Sequence, residues 1–265
     1  MRGLVLFFLL LSSNLHGAES SYPLDEVSPD LTDKESLQRG ARTFVNYCMG
    51  CHEMKYQRFQ RVAEDLGIPE EAMMSNLVFD SSKKFGSHMS NSMSVSNAKQ
   101  WFGNVPPDLT LYMKLKGGPE YFYTYMRVFY EDPSRPFGVN NLLYENVGMP
   151  HPLVHLQGIQ QKVCKDIPKI AKNGGEMREP ITGLPLLESK CGEELVDRGF
   201  SPLKLVENSG ELSIEGYDSL IYDLTNFMTY VADPSAEQRK RIGTYVLLFL
   251  IIFTAFAYMT YKEFK

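Results

Sequence analysis

Four cysteines and five histidines are scattered through this chain, and three of them lie together in Cys48-Met49-Gly50-Cys51-His52. C-x-x-C-H is the attachment signature of c-type haem. The spacing follows from the chemistry: thiols one helical turn apart each add to a vinyl group of one porphyrin, and the adjacent imidazole falls under the ring centre as an axial iron ligand. Two other uses of a close thiol pair fit less well. A thioredoxin-like pair wants a preceding strand, whereas the residues before Cys48 have helical spacing. Half of a zinc site wants a second thiol pair, and none follows at ligand spacing. One such motif means one covalently bound haem c.

What a single haem does depends on its sixth ligand. The candidates are His88, His151, His155 and thirteen methionines. Met113 and Met126 lie in helical, aromatic-rich stretches that suit the core. Met73, Met74, Met89 and Met93 sit in a polar Ser/Asn-rich segment, where gap-filling or solvent-facing roles suit them better. Met149 stands in Val147-Gly148-Met149-Pro150, where Gly and Pro forbid a regular helix, so helical core packing does not account for it. The residues favour Met149, with His151 and His155 as rivals. His151, between Pro150 and Pro152, is expected to be solvated.

The two remaining cysteines, Cys164 and Cys191, bracket 26 residues rich in Gly, Pro and Lys. Whether they pair depends on the compartment, and the chain start bears on that. Met1-Arg2-Gly3, an apolar run Leu4 to Leu11 and a small-residue exit ending at Ala18 form a secretory signal pattern, too short to span a bilayer. An exported chain favours a Cys164–Cys191 disulfide, contributing roughly 3–4 kcal/mol by the chain-entropy model.

At the far end, Ile242 to Tyr261 is twenty residues without a charge, flanked by Arg239-Lys240-Arg241 and by Lys262 and Lys265. At 1.5 Å per residue this matches a hydrocarbon core of about 30 Å. Flanking basic residues do not orient the span, but the signal does: the body is outside and the tail inside. The expected organisation is a signal peptide at 1–18, an exported body at 19–232, a transmembrane anchor at 242–261 and a cytoplasmic tail at 262–265. Removing Arg2, and the five basic and three acidic residues from Asp233 onward, from totals of 27 and 32 leaves 21 basic against 29 acidic residues. An exported body of about −8 argues against nucleic acid or anionic lipid and permits a basic protein partner.

Helices must carry the haem motif. Thr32-Asp33-Lys34-Glu35 has the form of a capping box with Thr32 at the N-cap. Leu37, Gly40, Ala41, Phe44, Val45 and Cys48 then share one helical face, and Gly40 invites a close crossing. A partner face follows in Tyr217, Leu220, Ile221, Leu224, Phe227, Met228 and Val231, stopped by Asp233-Pro234. Between them, Pro106-Pro107-Asp108-Leu109-Thr110 enters a helix running to Gly117-Gly118, and Pro119 to Tyr130 forms another. Residues 158–210 show little periodicity and read as a disulfide-stapled excursion. The expected fold class is all-α, a cytochrome c-like haem domain with one C-terminal transmembrane helix.

The ordered set of Cys48–His52, Pro106-Pro107-Asp108-Leu109, Tyr123-Thr124-Tyr125-Met126-Arg127, Phe129-Tyr130, Asn140-Asn141, Asn146 through His151, and Tyr217-Asp218 through Asp233-Pro234 resembles the cytochrome c1 family in its proteobacterial form. These are the membrane-anchored haem subunits of ubiquinol–cytochrome c oxidoreductase (bc1) complexes. The similarity covers most of residues 30–157 and 210–265. It implies His52 and Met149 as the axial iron ligands, with the Pro106-Pro107 segment packed on the His52 side and Leu109 among the haem-binding residues. Where relatives carry an Arg that holds a haem propionate, this chain has Lys114 and Lys116. Lys116 matches best, but a bidentate contact does not transfer to it.

The resemblance further implies an electron carrier rather than an enzyme in its own right. It would receive single electrons from the Rieske [2Fe–2S] protein beside cytochrome b and deliver them to a soluble c-type cytochrome, with its haem domain in the periplasm and its anchor in the inner membrane. Two alternatives remain: a membrane-anchored cytochrome c subunit of a terminal oxidase or reductase, and a peroxidase-like haem enzyme with a vacant sixth position.

Overall fold

The computed structural model describes residues 22–171 and 174–264, so the expected signal peptide lies outside the described residues. α1 (Lys34–Thr43) opens the helical body. Its N-cap is Asp33, whose carboxylate accepts from the Ser36 amide at 3.0 Å, one residue later than the expected Thr32. The Thr32 hydroxyl turns back to Asp30 instead. A carboxylate brings a full charge to the positive end of the helix dipole, which a hydroxyl does not.

α1 then widens into a π-helical turn over Phe44–Cys48, closed by the Met49 amide on the Phe44 carbonyl at 2.9 Å. Next come β1 (Met54–Arg58), α2 (Phe59–Leu66), α3 (Glu70–Asn76), β2 (His88–Met89), α4 (Val95–Phe102), α5 (Tyr112–Leu115) and α6 (Gly118–Arg127). The helix expected up to Gly117 shrinks to α5, because Asp108 spends its carboxylate on a turn, accepting from the Thr110 and Lys55 amides. The helix expected to reach Tyr130 ends at Arg127. Val128, Phe129 and Tyr130 are strand-favouring types, and β3 (Phe129–Glu131) pairs with β4 (Val139–Asn141).

α7 (Val154–Gln157) leads into an arm made of β5 (Gln160–Lys162), β6 (Cys164–Pro168), β7 (Leu187–Cys191), a 3₁₀ helix (Gly192–Arg198) and β8 (Leu203–Leu205). β5 pairs with β8, and β6 with β7, all antiparallel. Cys164 lies opposite Cys191 in that ladder, and the expected disulfide joins them. The body is helical as expected, but all-α is too narrow a class: the described residues include four two-stranded sheets. Their strands are two to five residues long, too short to leave an alternating pattern in the sequence.

α8 (Ile214–Ala232) closes the body and packs across α1. A Cβ on Gly40 would stand 2.1 Å from the Asp223 carbonyl oxygen and 2.7 Å from the Phe227 Cβ, so only glycine allows this crossing. The buried Asp223 carboxylate is fully partnered, by the Ser36 hydroxyl at 2.6 Å and by Arg39 through Nε and Nη2. Phe44, Ile221, Leu224 and Phe227 form the dry centre of the core. Pro234 breaks the chain before α9 (Ala236–Glu263), a helix of 28 residues whose long apolar stretch is unburied. It is long and apolar enough to cross a membrane, and it starts before the expected 242 because Arg239, Lys240 and Arg241 continue the helix.

Candidate haem site

The π-helical turn delivers Cys48 to a cleft, and two tight hydrogen bonds then fold the motif back on itself: Cys51 and His52 both donate their amides to the Cys48 carbonyl, at 3.1 and 2.8 Å. An extra residue per turn is a local insertion, and such bulges recur at functional sites. Cys48 and Cys51 are free thiols. Burial pushes the Cys48 thiol up to about 12, so it stands protonated at neutral pH.

His52 is oriented by the Pro107 carbonyl, which lies 2.9 Å from its Nδ1. A carbonyl can only accept, so Nδ1 carries the proton and the Nε2 lone pair is left for a metal. Burial holds the imidazole below its ordinary pKa, with the Pro107 bond opposing that shift. The neutral ring is the ligating form.

The cleft has a volume of about 360 Å³, within the roughly 300–1,000 Å³ of small-molecule sites. Cys48, Cys51, His52, Pro106, Pro107, Leu109 and Met149 all line it, and among the described residues neither Lys nor Arg nor any carboxylate does. Lys116 follows α5 and is outside that lining. Phe44, Tyr47, Phe102, Tyr112, Phe122, Tyr125 and Tyr144 make the walls largely aromatic. Among the described residues no group of three or more His, Cys, Asp or Glu is assembled for a bare metal ion. Two thiols beside one oriented imidazole in an apolar slot fit a covalently held porphyrin.

The rival sixth ligands point elsewhere. His88 is exposed on β2. His155 packs its ring on Tyr47 at a centroid distance of 5.4 Å and is exposed. His151, expected to be solvated, is only 7% exposed. Its ring stacks on Phe129 at 4.6 Å with planes 1° apart, and Nε2 bonds the Gln157 amide oxygen at 2.7 Å. Proline on both sides removes helical options but not burial, because a flat ring on Phe129 is an adequate apolar site. Burial then drives His151 down to about 4. Met126 and Met228 reach the lining from α6 and α8, where their side chains are buried in the core. Met149 reaches it from a loop.

That loop is not held by Gly148, which has no positive φ and open space where a Cβ would stand. It is held by side chains that the sequence reading gave no role. Arg135 donates to the Asn146 carbonyl at 2.8 Å and to its side-chain oxygen at 3.1 Å. Asn146 takes a left-handed conformation, φ 61°, and its amide donates to the Asn140 side chain. Asn141 ties the same turn to the Tyr125 carbonyl at 2.8 Å. Asparagine tolerates that backbone region better than most residues, which is the one local signal available in advance.

The Cytochrome C1 family profile matches residues 28–160 and 214–265. The gap between the two blocks is the arm. Cytochrome c1 of Allochromatium vinosum is 42% identical over 100% of this chain and 98% of its own. The ammonia monooxygenase gamma subunit of Nitrosomonas europaea is 36% identical over 98% of this chain and 95% of its own. Cytochrome c1 of Rhodobacter capsulatus is 23% identical over 87% and 82%. With the family's blocks spanning most of the chain and a full-length relative at this identity, the chain belongs to the cytochrome c1 family.

Proposed function

We propose that this chain is the membrane-anchored, mono-haem electron carrier of a bc1 complex, taking single electrons from the Rieske [2Fe–2S] protein and passing them to a soluble c-type cytochrome. Cys48 and Cys51 would hold the porphyrin covalently, and His52 and Met149 would ligate its iron. The observation that carries this reading is one apolar cleft lined by both thiols, the oriented imidazole and a loop thioether. The bound haem supplies a reversible one-electron couple, which histidine and thioether ligation place at high potential.

The protein's own residues have three tasks. Pro107 fixes the tautomer and direction of His52, so the ligand is preorganised. The aromatic walls exclude water and keep the local dielectric low, which disfavours the more charged ferric state. Arg135, Asn140 and Asn146 hold the Met149 loop. Were Met149 to ligate the iron opposite His52, no position would be left for a substrate, which favours a carrier over a peroxidase-like enzyme. α9 would anchor this domain in the inner membrane with the haem on the periplasmic side.

Denaturing electrophoresis followed by haem staining should give a coloured band at the chain's own mass; a colourless band would refute haem attachment. Purification of the intact complex should bring down a b-type cytochrome and a Rieske protein. Recovery with monooxygenase subunits would instead give weight to the second relative's name.

A further inference from the structure

We propose that Tyr125 is a positioning residue for the sixth ligand, its phenol donating a hydrogen bond to the Met149 thioether and so setting how strongly that sulfur binds iron. This rests on Met149 being the ligand. The Tyr125 Oη lies 3.7 Å from the Met149 Sδ. A thioether can only accept, so the proton is the tyrosine's. Sulfur has two lone pairs, and one can serve the hydroxyl while the other serves the metal.

Donor and acceptor are both braced. The Tyr125 ring stands edge-on to Phe129 at 5.1 Å and 73°, and lies parallel to Tyr121 at 6.3 Å. Its backbone carbonyl is held by Asn141. Phe129 also carries the stacked ring of His151, two residues beyond Met149. One side chain therefore references the phenol and the loop to each other, and α6 supplies the phenol from a rigid helix rather than from the loop itself. Such a contact orients a ligand from outside the coordination sphere and tunes the metal. Electron density drawn towards the hydroxyl makes the sulfur a weaker donor, which costs the ferric state more than the ferrous. The bond thus raises the potential.

The test uses the purified holoprotein with Tyr125→Phe, which keeps the ring and removes the hydroxyl. Two readouts report ligation rather than packing: the midpoint potential and the weak red absorption of ferric iron bound to thioether. The expected result is an equilibrium shifted about threefold towards the ferric form, the scale of one modest hydrogen bond. At 59 mV per tenfold this is about 28 mV lower. The red band should move, and carbon monoxide should still be excluded. Tyr123→Phe removes a phenol from the same helix, one that lies over Arg127 instead, and should change neither readout. An unchanged potential and band in Tyr125→Phe, in a protein whose band Met149→Leu abolishes, would overturn the role of Tyr125 while the ligand assignment stands. An equal shift in Tyr123→Phe would overturn it as well. A red band that survives Met149→Leu would overturn the ligand assignment, and this proposal with it.

Discussion

The helical body and the arm are stabilised by different physics. In the body, Phe44, Ile221, Leu224 and Phe227 are completely buried, and Gly40 lets two helices approach to backbone contact. In the arm, Ile167 and Leu195 are buried, but Ile181 is 92% exposed and Leu184 64%. What holds the arm is a ladder of backbone hydrogen bonds from Cys164 to Pro168 against Leu187 to Cys191, with the disulfide at its base. A segment that buries little apolar surface cannot offset its conformational entropy by packing, so it needs a covalent constraint. The family profile stops at residue 160 and resumes at 214, consistent with cofactor geometry constraining the body and leaving the arm free to differ.

The largest expected effect separates the two regions at once. Met149→Leu keeps size and apolarity but removes the sulfur. Covalent haem should persist, because Cys48, Cys51 and His52 are untouched. The midpoint potential should fall by well over the roughly 59 mV that a tenfold equilibrium change represents, and the iron should bind carbon monoxide. An unaltered potential with carbon monoxide still excluded would place the sixth ligand elsewhere.

Second in size is Gly40→Ala. The added methyl meets a carbonyl oxygen at 2.1 Å, and backbone cannot swing away as a flexible side chain can. Overpacking of this kind costs about 1–3 kcal/mol or more, so chemical denaturation should show a clearly lower midpoint. A midpoint equal to wild type would mean that the α1–α8 crossing is looser than the structure shows.

An effect confined to the arm, and so smaller for the fold as a whole, is expected from replacing Cys164 and Cys191 together by Ser. The chain-entropy model assigns roughly 3–4 kcal/mol to such a loop, but that loss should fall on the arm. Amides between Cys164 and Cys191 should exchange faster, while the body's amides and the haem potential stay as they were. The base of the arm is secured separately, since Gln160 donates through its side chain to the Arg127 and Phe129 carbonyls. A shifted potential would show that strain in the arm reaches Met149 through β3.

These differences also govern what could be read in advance. α1 and α8 were legible because burial of one helix face forces a 3.6-residue period, and the residues of C-x-x-C-H were legible because the chemistry fixes their spacing. The π-helical turn under Cys48 leaves no mark, since side-chain types do not distinguish it from a regular turn. Arg135 was missed for a different reason: it acts on carbonyls 11 and 12 residues away, and a backbone acceptor has no sequence identity. Pro150 and Pro152 suggested an exposed His151, but flanking residues report conformation and not depth. The staple of the arm was legible, because it asked only for a spare cysteine pair, but the arm is not irregular: two antiparallel strand pairs run through it. Its strands stayed hidden, as ladders between exposed strands impose no alternation.

The smallest effect contrasts two carboxylates. Asp132 in the body is held below the ordinary carboxylate range mainly by the Ser134 hydroxyl at 2.6 Å, then by the Asn140 side chain at 3.0 Å. Glu194 in the arm is held low mainly by the Lys190 ammonium at 3.0 Å, then by the Cys191 amide. The sign is the same for both. A carboxyl whose folded pKa lies below its unfolded value binds fewer protons than the unfolded chain between the two, so its contribution is present above the unfolded value and is lost as pH falls through the folded one. The causes differ, however. Raising the salt from 0.1 to 1 M shortens the screening length from about 10 to about 3 Å, which weakens an exposed ion pair and leaves neutral hydrogen bonds nearly untouched. Carboxyl titration followed by NMR should therefore show Glu194 moving up towards its ordinary value in high salt while Asp132 stays low. Equal movement of both would mean that the arm and the body hold their carboxylates by the same means, and the contrast between packed and merely tethered structure would not extend to their surfaces.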